Sequence, residues 1–463
     1  MGGREGERAG YPRTTILRRR LDRRNCAIAY GGHHESNPPP ARRRRHARRP
    51  IANPMIALLA DPDFRRMWLV GAITASVRWL ELLAIAVYVL ERTGSPSMVA
   101  FMTVLRLAPM FLCGFLIGAL GDRYERRSLL LCGLLLVALT SAVLAGLALA
   151  DQITLWQIAI GTFLSGLFVA TDMALRRIVT AEIAGADRIG QAMALDAMSN
   201  NATRMLGPIL GGLLLETLGL PGIYLAAALT YLCGVVLVLR TRHRSSGLVG
   251  AAPRLLASLR EGWRYVRGQR VIAGTLAVTV VANFWGMAYV AMVPVIGEQV
   301  LALSAFENGV LMSMLGVGAL IGALVGSASR SHSYTRGFLL STLVVLLCVL
   351  VFGLSASVPL SLLTNLVCGI GIGAFSVMQS AIMMLSARPE IRARVMGLLT
   401  VFIGAGQFTG MVHLGWLADW LGAAVAVQLA AVEGLAALAL VAVIWPEMRR
   451  ETDLAAAPDG RQR

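Results

Sequence analysis

From Phe64 onward, apolar runs of similar length recur along the chain, each closed by a short polar gap. Twelve such segments are predicted: 67–90, 97–120, 128–149, 153–175, 191–215, 221–239, 272–296, 307–328, 337–356, 359–385, 395–418 and 423–445. Each is near the roughly 20 residues that a helix needs to cross about 30 Å of hydrocarbon. Runs of this kind must be helical, because a backbone in lipid has to satisfy its own amides. The expected fold class is therefore an all-α membrane protein with 12 transmembrane helices.

The polar gaps alternate in character. After the first segment comes Arg92, and the gaps after the third, fifth, seventh, ninth and eleventh hold no Arg; Glu91, Asp151, Glu298, Glu307 and Asp419 stand in these gaps instead. The other gaps carry Arg123, Arg126 and Arg127, then Arg176, Arg177 and Arg188, a series from Arg240 to Arg270, Arg330 and Arg336, Arg388, Arg392 and Arg394, and finally Arg449 and Arg450. Basic loops stay in the cytoplasm, so both termini are expected there.

The widest inner gap separates the sixth segment from the seventh. Within it Leu255, Leu259, Trp263 and Val266 fall on one helical face, with Arg on the others, the pattern of a helix lying in the membrane interface. It divides the chain into two halves that repeat. When Ala192-Met-Ala-Leu195 is aligned with Val395-Met-Gly-Leu398, the same register puts Asp187 on Glu390, Gly207 on Gly410, Gly212 on Gly415, Glu216 on Asp419 and Gly219 on Gly422. Gly118-Ala-Leu120 similarly matches Gly322-Ala-Leu324. The predicted organisation is a disordered tail at 1–62, a six-helix half at 63–240, a linker at 241–271, a second six-helix half at 272–446 and a cytoplasmic tail at 447–463. Related halves place a substrate path between them near the midplane.

Composition agrees with the membrane reading: 56% of the 463 residues are hydrophobic, and the formal net charge is +17. All 43 basic residues are Arg, so neither a phosphate-binding loop with its Lys nor a Lys Schiff base is available. The six Cys show no paired spacing, and the six His are scattered; neither a disulfide framework nor a metal site is expected, and no cofactor is implied. Residues 1–50 hold fourteen Arg against Glu5, Glu7, Asp22 and Glu35. That composition cannot bury a core. Of three readings, a nucleic-acid tail lacks interleaved aromatics, and an anchor to anionic lipid is open. The third, that translation starts near Met55 or Met67, is preferred. No nucleic-acid partner is expected.

Ionisable groups inside apolar segments are costly and are functional candidates by default. They are Arg78 and Glu81 in the first segment, Arg106 in the second, Asp172 in the fourth, Asp196 and Arg204 in the fifth (beside Asn200 and Asn201), and Glu433 in the twelfth. Arg78 and Glu81, three residues apart, share a face and can pair. Asp172 one turn before Arg176 also reads as gate structure, Asp196 as a solvated group near the cytoplasmic end, and Glu433 as a lipid-side group. The second half offers uncharged Asn283, Asn365, Gln379 and Gln407, with His413.

Two motifs carry a resemblance. The loop Gly118-Ala-Leu-Gly-Asp-Arg-Tyr-Glu-Arg-Arg-Ser-Leu-Leu130 resembles the loop signature of the major facilitator superfamily at Gly118, Leu120, Asp122, Arg123, Arg126, Arg127 and Leu130, with Glu125 in place of a Gly. The run Asn201, Arg204, Gly207, Pro208, Gly211, Gly212 resembles the fifth-helix motif of facilitator antiporters, with Thr203 at its upstream Gly. With Phe64-Arg-Arg-Met-Trp68 and Arg260-Glu-Gly-Trp-Arg-Tyr-Val266, the chain over residues 60–445 resembles the drug:proton antiporter and enterobactin exporter-like branch, the transmembrane secretion effector family. The resemblance implies a multi-pass, monomeric transporter of the bacterial inner membrane. It would export a hydrophobic drug, macrolide or siderophore-like small molecule against protons. Glu81, with Asp172 or Asp196, would carry the proton, and Arg78, Arg106 and Arg204 would set its balance or bind an anionic substrate. Asp122 with the Arg123–Arg127 cluster would latch the cytoplasmic gate against the eleventh segment, and Gly207–Gly212 would shape a close helix contact. One departure stands out: relatives often carry a carboxylate immediately before the Trp of the first segment, where this chain has Arg78. An importer or lysolipid mover on the same fold, and a non-transporting sensor or scaffold, are the alternatives. No arrangement of soluble catalytic residues points to an enzyme.

Overall fold

The computed structural model describes residues 58–112, 124–185, 188–243, 262–328, 334–388 and 391–449. Among these the architecture is all helical. In chain order the long helices are α1 (Pro62–Thr93), α2 (Pro96–Leu112), α3 (Arg126–Leu149), α4 (Leu155–Ala184) and α5 (Ile189–Arg240). They are followed by α6 (Arg270–Gln299), α7 (Ala305–Ala328), α8 (Tyr334–Leu354), α9 (Val358–Ser386), α10 (Arg392–Leu421) and α11 (Ala423–Ile444). Ten helices are long and apolar enough to cross a membrane, while the apolar part of α2, Pro96–Met110, is shorter. The 52-residue α5 covers two predicted segments and breaks between them at Gly219, whose φ of 63° lies in the left-handed region that glycine enters without a Cβ clash.

Local chemistry sets several helix ends. Asp61 accepts from the amides of Asp63 (2.9 Å) and Phe64 (3.3 Å) and so caps α1 just before Pro62. Thr154 and Gln157 form a reciprocal capping box on α4. The chain is ordered further upstream than the expected tail boundary at 62. Leu58 is fully buried against Phe64, Ala184, Ala192 and Leu195, so the last residues of the predicted tail belong to the core; the rest of the tail lies outside the described residues. So do Leu255 and Leu259 of the expected interfacial helix. Residues 262–267 of it are helical, with Val266 buried and Trp263 stacked on Phe402.

Helices α1–α5 pack among themselves, as do α6–α11, and the two sets meet where α5 runs along α7 and α10 along α2. The largest apolar cluster joins both sets. It is drawn from the Arg-poor ends of the helices, with Leu83, Val99, Leu144 and Ile158 packed in one body with Tyr289, Ile296, Phe352, Leu414 and Val427. At the Arg-rich ends the clusters described stay within one set: Met67, Leu130 and Tyr231 in one, Phe338, Ile382 and Met448 in another, Ile272 and Val395 in a third.

The joined end carries a matched pair of carboxylates. Glu216, at the end of the first arm of α5, accepts from the Phe306 amide (2.8 Å) at the start of α7. Asp419, near the end of α10, accepts from the Ser97 amide (3.0 Å) and the hydroxyls of Ser95 (3.1 Å) and Ser97 at the start of α2. Each carboxylate thus caps the first turn of a helix in the other set, where free amides point outward.

Candidate functional site

Between the two sets lies a cavity of about 400 Å³. Helices α1, α2, α4 and α5 build one wall, and α6, α7, α9 and α10 the other. The lining is mostly apolar and includes Met110, Met173, Met287, Met312 and Met411. Its charged members are Arg78, Arg106 and Arg204, and its uncharged polar members include Asn283, Gln379 and Gln407; no carboxylate is among the described lining residues.

Glu81 and Arg106 are brought together, though Arg78 was the expected partner of Glu81. Arg106 Nη2 lies 3.1 Å from Glu81 Oε2 and 3.3 Å from Ser165 Oγ, and Ser165 donates to the same Glu81 oxygen at 3.0 Å. The triangle ties α1, α2 and α4 together, and both charged side chains are less than a tenth exposed. Glu81 does not face the cavity; Arg106 stands between them. The approach depends on Gly166, where a Cβ would fall 2.1 Å from the Arg106 carbonyl oxygen. Ser165 and Gly166 were not singled out in the sequence, since neither brings a charge into its apolar run.

Arg78 instead donates to Asn200 Oδ1 at 2.6 Å. The expected candidate Asn201 lines neither this cavity nor the chamber beneath it. That chamber, about 110 Å³, holds a second charged group. Arg176 donates to Asp172 Oδ1 (2.9 Å) and Asp196 Oδ1 (2.7 Å), and Arg177 donates to Asp196 Oδ2 (3.1 Å). Asp172 thus has the structural partner expected of it, whereas Asp196 is buried and twice paired rather than solvated. Gly71 leaves room for the guanidinium, because a Cβ there would fall 2.3 Å from Arg176 Nη1.

The run from Arg204 to Gly212 shapes the cavity wall. A Cβ on Gly207 would meet Trp79 Cβ at 2.6 Å, and one on Gly212 would meet the Ala305 carbonyl at 2.2 Å. From the other side, a Cβ on Gly309 would meet the Pro208 carbonyl at 2.4 Å. Helix α5 is therefore pressed between α1 and α7, as close packing through small residues permits. That packing brings Trp79 close to two guanidinium groups: its ring centroid is 5.8 Å from Arg78 Cζ and 5.5 Å from Arg204 Cζ.

In the other half, α6 leaves regular geometry in the middle of its course. Wide turns over Ala282–Met287 and tight turns over Ala288–Met292 interrupt it, and this irregular stretch brings Asn283 and Met287 to the cavity. Irregular turns inside helices gather at functional sites. Asn365 and His413 do not reach the cavity lining. Asn365 accepts from Tyr289 Oη (3.1 Å). His413 Nε2 lies 3.0 Å from Glu433 Oε2, which also accepts from Trp285 Nε1 at 2.9 Å; Glu433 is an inter-helix acceptor, not a lone lipid-side group.

Of the expected gate motif, Gly118, Asp122 and Arg123 lie outside the described residues. Arg126 pairs with Glu182 of α4, and Arg127 donates to the carbonyls of Val238 (3.2 Å) and Leu239 (2.9 Å) at the end of α5. These bonds hold α3 to its own half. Among the described residues no group of three His, Cys, Asp or Glu is arranged to hold a metal ion.

Comparisons with known proteins converge. A family model described as transmembrane secretion effector matches residues 54–459. The multidrug efflux pump Tap of Mycolicibacterium fortuitum is 26% identical over 84% of this chain and 97% of its own length. The staphyloferrin A transporter of Staphylococcus aureus is 23% identical over 52% of this chain, a match spanning 61% of that relative. The enterobactin exporter of Shigella flexneri is 27% identical over 57% of this chain and 62% of its own. Among solved structures, an inward-facing, unoccupied bacterial homologue of the human lysosomal transporter spinster aligns with a TM-score of 0.68, covering 86% of this chain and 98% of that one at 12% identity. A POT family transporter in complex with 5-aminolevulinic acid aligns at 0.69, covering 84% and 96%, at 13% identity.

Proposed function

The chain belongs to the transmembrane secretion effector family of major facilitator transporters, and from that premise we propose that it is a monomeric exporter of the bacterial inner membrane. It moves a small, largely apolar molecule outward in exchange for protons. The observation that carries the reading is the cavity enclosed by both helix sets, joined at the Arg-poor end and, among the described residues, without a shared apolar cluster at the Arg-rich end. That is the geometry of a state loaded from the cytoplasm, if the Arg-rich ends face inward as basic loops do. Counting α5 as two crossings about Gly219 gives twelve crossings with both termini inside, six on each side of the linker at 241–271. Rocking of the halves then alternates access to the cavity.

Glu81 is the proton site in this reading. As a carboxylate it holds Arg106; once protonated it releases that guanidinium toward the cavity. Asp172 and Asp196 already share Arg176 and Arg177, so they serve as the frame of the cytoplasmic end. Efflux relatives such as Tap and the enterobactin exporter support export over import.

The test is substrate-triggered proton movement in proteoliposomes, comparing the native protein with Glu81→Gln across lipophilic cations, macrolides, siderophores and organic anions. Proton flux on adding one compound, absent in Glu81→Gln, is the expected result. Transport of a compound with no proton flux removes the coupling role of Glu81. Absence of transport for the whole panel, with the intramembrane charges dispensable, would sink the exporter reading in favour of a sensor or scaffold.

A further inference from the structure

The buried charges of α1–α5 do not balance. Glu81 holds Arg106, while Asp172 and Asp196 hold Arg176, and Asp196 also takes Arg177. Arg78 and Arg204 make no ion pair among the described residues. Arg78 donates to the uncharged Asn200 and shares a chamber with Asp172, which Arg176 already engages, and Arg204 meets no carboxylate among the described residues. Both line the same wall of the cavity, each near the ring of Trp79, whose Nε1 is buried without an acceptor among the described residues. The facing wall brings the amides of Asn283, Gln379 and Gln407 and, among the described residues, no charge.

Unpaired guanidinium groups in a low-dielectric site are retained at a cost unless something of opposite charge enters. A guanidinium presents a planar fork of donors that fits a carboxylate or a phosphate with two parallel bonds. The methionines around it offer flexible, polarisable contact that adapts to different apolar shapes, and about 400 Å³ lies in the range of small-ligand sites. A cationic cargo, by contrast, would face two like charges with no carboxylate among the described lining residues.

We infer that the cavity takes an amphipathic organic anion, its charged end held between Arg78 and Arg204 beside Trp79 and its apolar body against the methionines. The inference rests on the transporter reading only in taking the cavity as the cargo site, and on neither the direction of transport nor the coupling ion.

The experiment is calorimetric binding to the full chain in phosphatidylcholine nanodiscs, with two probes of one ring system, 1-naphthaleneacetate and 1-naphthylmethylammonium. The acetate should bind at least tenfold tighter than the ammonium. Arg78→Gln and Arg204→Gln should each weaken the acetate at least tenfold and leave the ammonium unchanged or improved. Arg204→Lys, which keeps the charge and loses the fork, should fall between. Thermal unfolding identifies variants that have not folded; if both Gln variants fail, the acetate-to-ammonium ratio of the native protein and Arg204→Lys decide. Competition by lysophosphatidylglycerol with the same Arg dependence assigns the anion to a lipid, and its absence assigns it to a water-soluble acid. An ammonium that binds as tightly as the acetate, or folded Gln variants within twofold of native for the acetate, overturns the inference. Arg-dependent anion binding without transport leaves this site standing and removes the exporter reading; proton-coupled efflux of cations alone does the reverse.

Discussion

Gly166 occupies a position where no side chain fits, because the Arg106 carbonyl sits in the space a Cβ would take. Gly166→Ala should push α2 outward, at a cost of about 1–3 kcal/mol for overpacking, and draw Arg106 away from Glu81. Transport should fall further than the loss of stability explains. Gly146→Ala is the control, since nothing lies within 4 Å of a Cβ there; equal effects of the two substitutions on flux and melting would refute the role given to Gly166. The pair itself is open to a double-mutant cycle. Removing one partner of a buried pair costs up to about 3–5 kcal/mol by stranding the other, so Glu81→Gln and Arg106→Gln should each lower the melting temperature, and the double variant should lose less than their sum. Additive losses would mean that the two are not coupled. Charge inside an apolar run made Glu81 and Arg106 legible in the sequence. Their pairing was not, because spacing along one helix suggests Arg78, and the true partner comes from another helix. Ser165 and Gly166 carry no mark in a linear chain at all.

Helices were the most legible level, since apolar length alone dictates them; the division of α5 into two segments and the repeat register could both be read from residues, whereas Gly219 as the point of the break comes from the structure. The register aligned Glu216 with Asp419, yet nothing local said that each would cap a helix of the opposite half. That follows from how the halves meet, which depends on three-dimensional packing. Each cap is worth about 1 kcal/mol, and the two act on the same joined end. Glu216→Gln with Asp419→Asn should therefore loosen that end and raise the population in which it is open. Spin labels placed through Leu218→Cys and Trp420→Cys, both exposed positions near the two caps, would report it in a background whose native cysteines are replaced. A growing long-distance population in the double variant is expected, with each single variant giving less. Unchanged distance distributions would mean that the apolar cluster alone holds the end shut.

For the whole molecule, the proposed role of Glu81 makes the charge of the cavity depend on one proton. While Glu81 is ionised it neutralises Arg106, and the cavity presents the charges of Arg78 and Arg204; once it is protonated, Arg106 adds a third. At a separation of about 8 Å and an effective dielectric near 20, one added charge changes the binding of a monovalent ligand by about 2 kcal/mol, and less where water enters. Lower pH should therefore strengthen binding of 1-naphthaleneacetate and weaken binding of 1-naphthylmethylammonium. Glu81→Gln should fix both at their low-pH values and abolish the pH dependence, which calorimetry at several pH values would resolve. The sign bears on coupling. Direct charge competition at this pair makes protons compete with a cation, which is antiport by displacement. For an anion, proton and cargo favour each other, so an exchange would have to come from the conformational cycle, with the proton bound in one orientation of the cavity and the anion in the other. An inside-negative membrane also drives an anion outward, by roughly 2.3 kcal/mol per charge for each 100 mV. Anion efflux from proteoliposomes that rises with an imposed potential and persists in Glu81→Gln would assign the work to the potential. Efflux that stops in Glu81→Gln while binding improves would place the proton in the reorientation step.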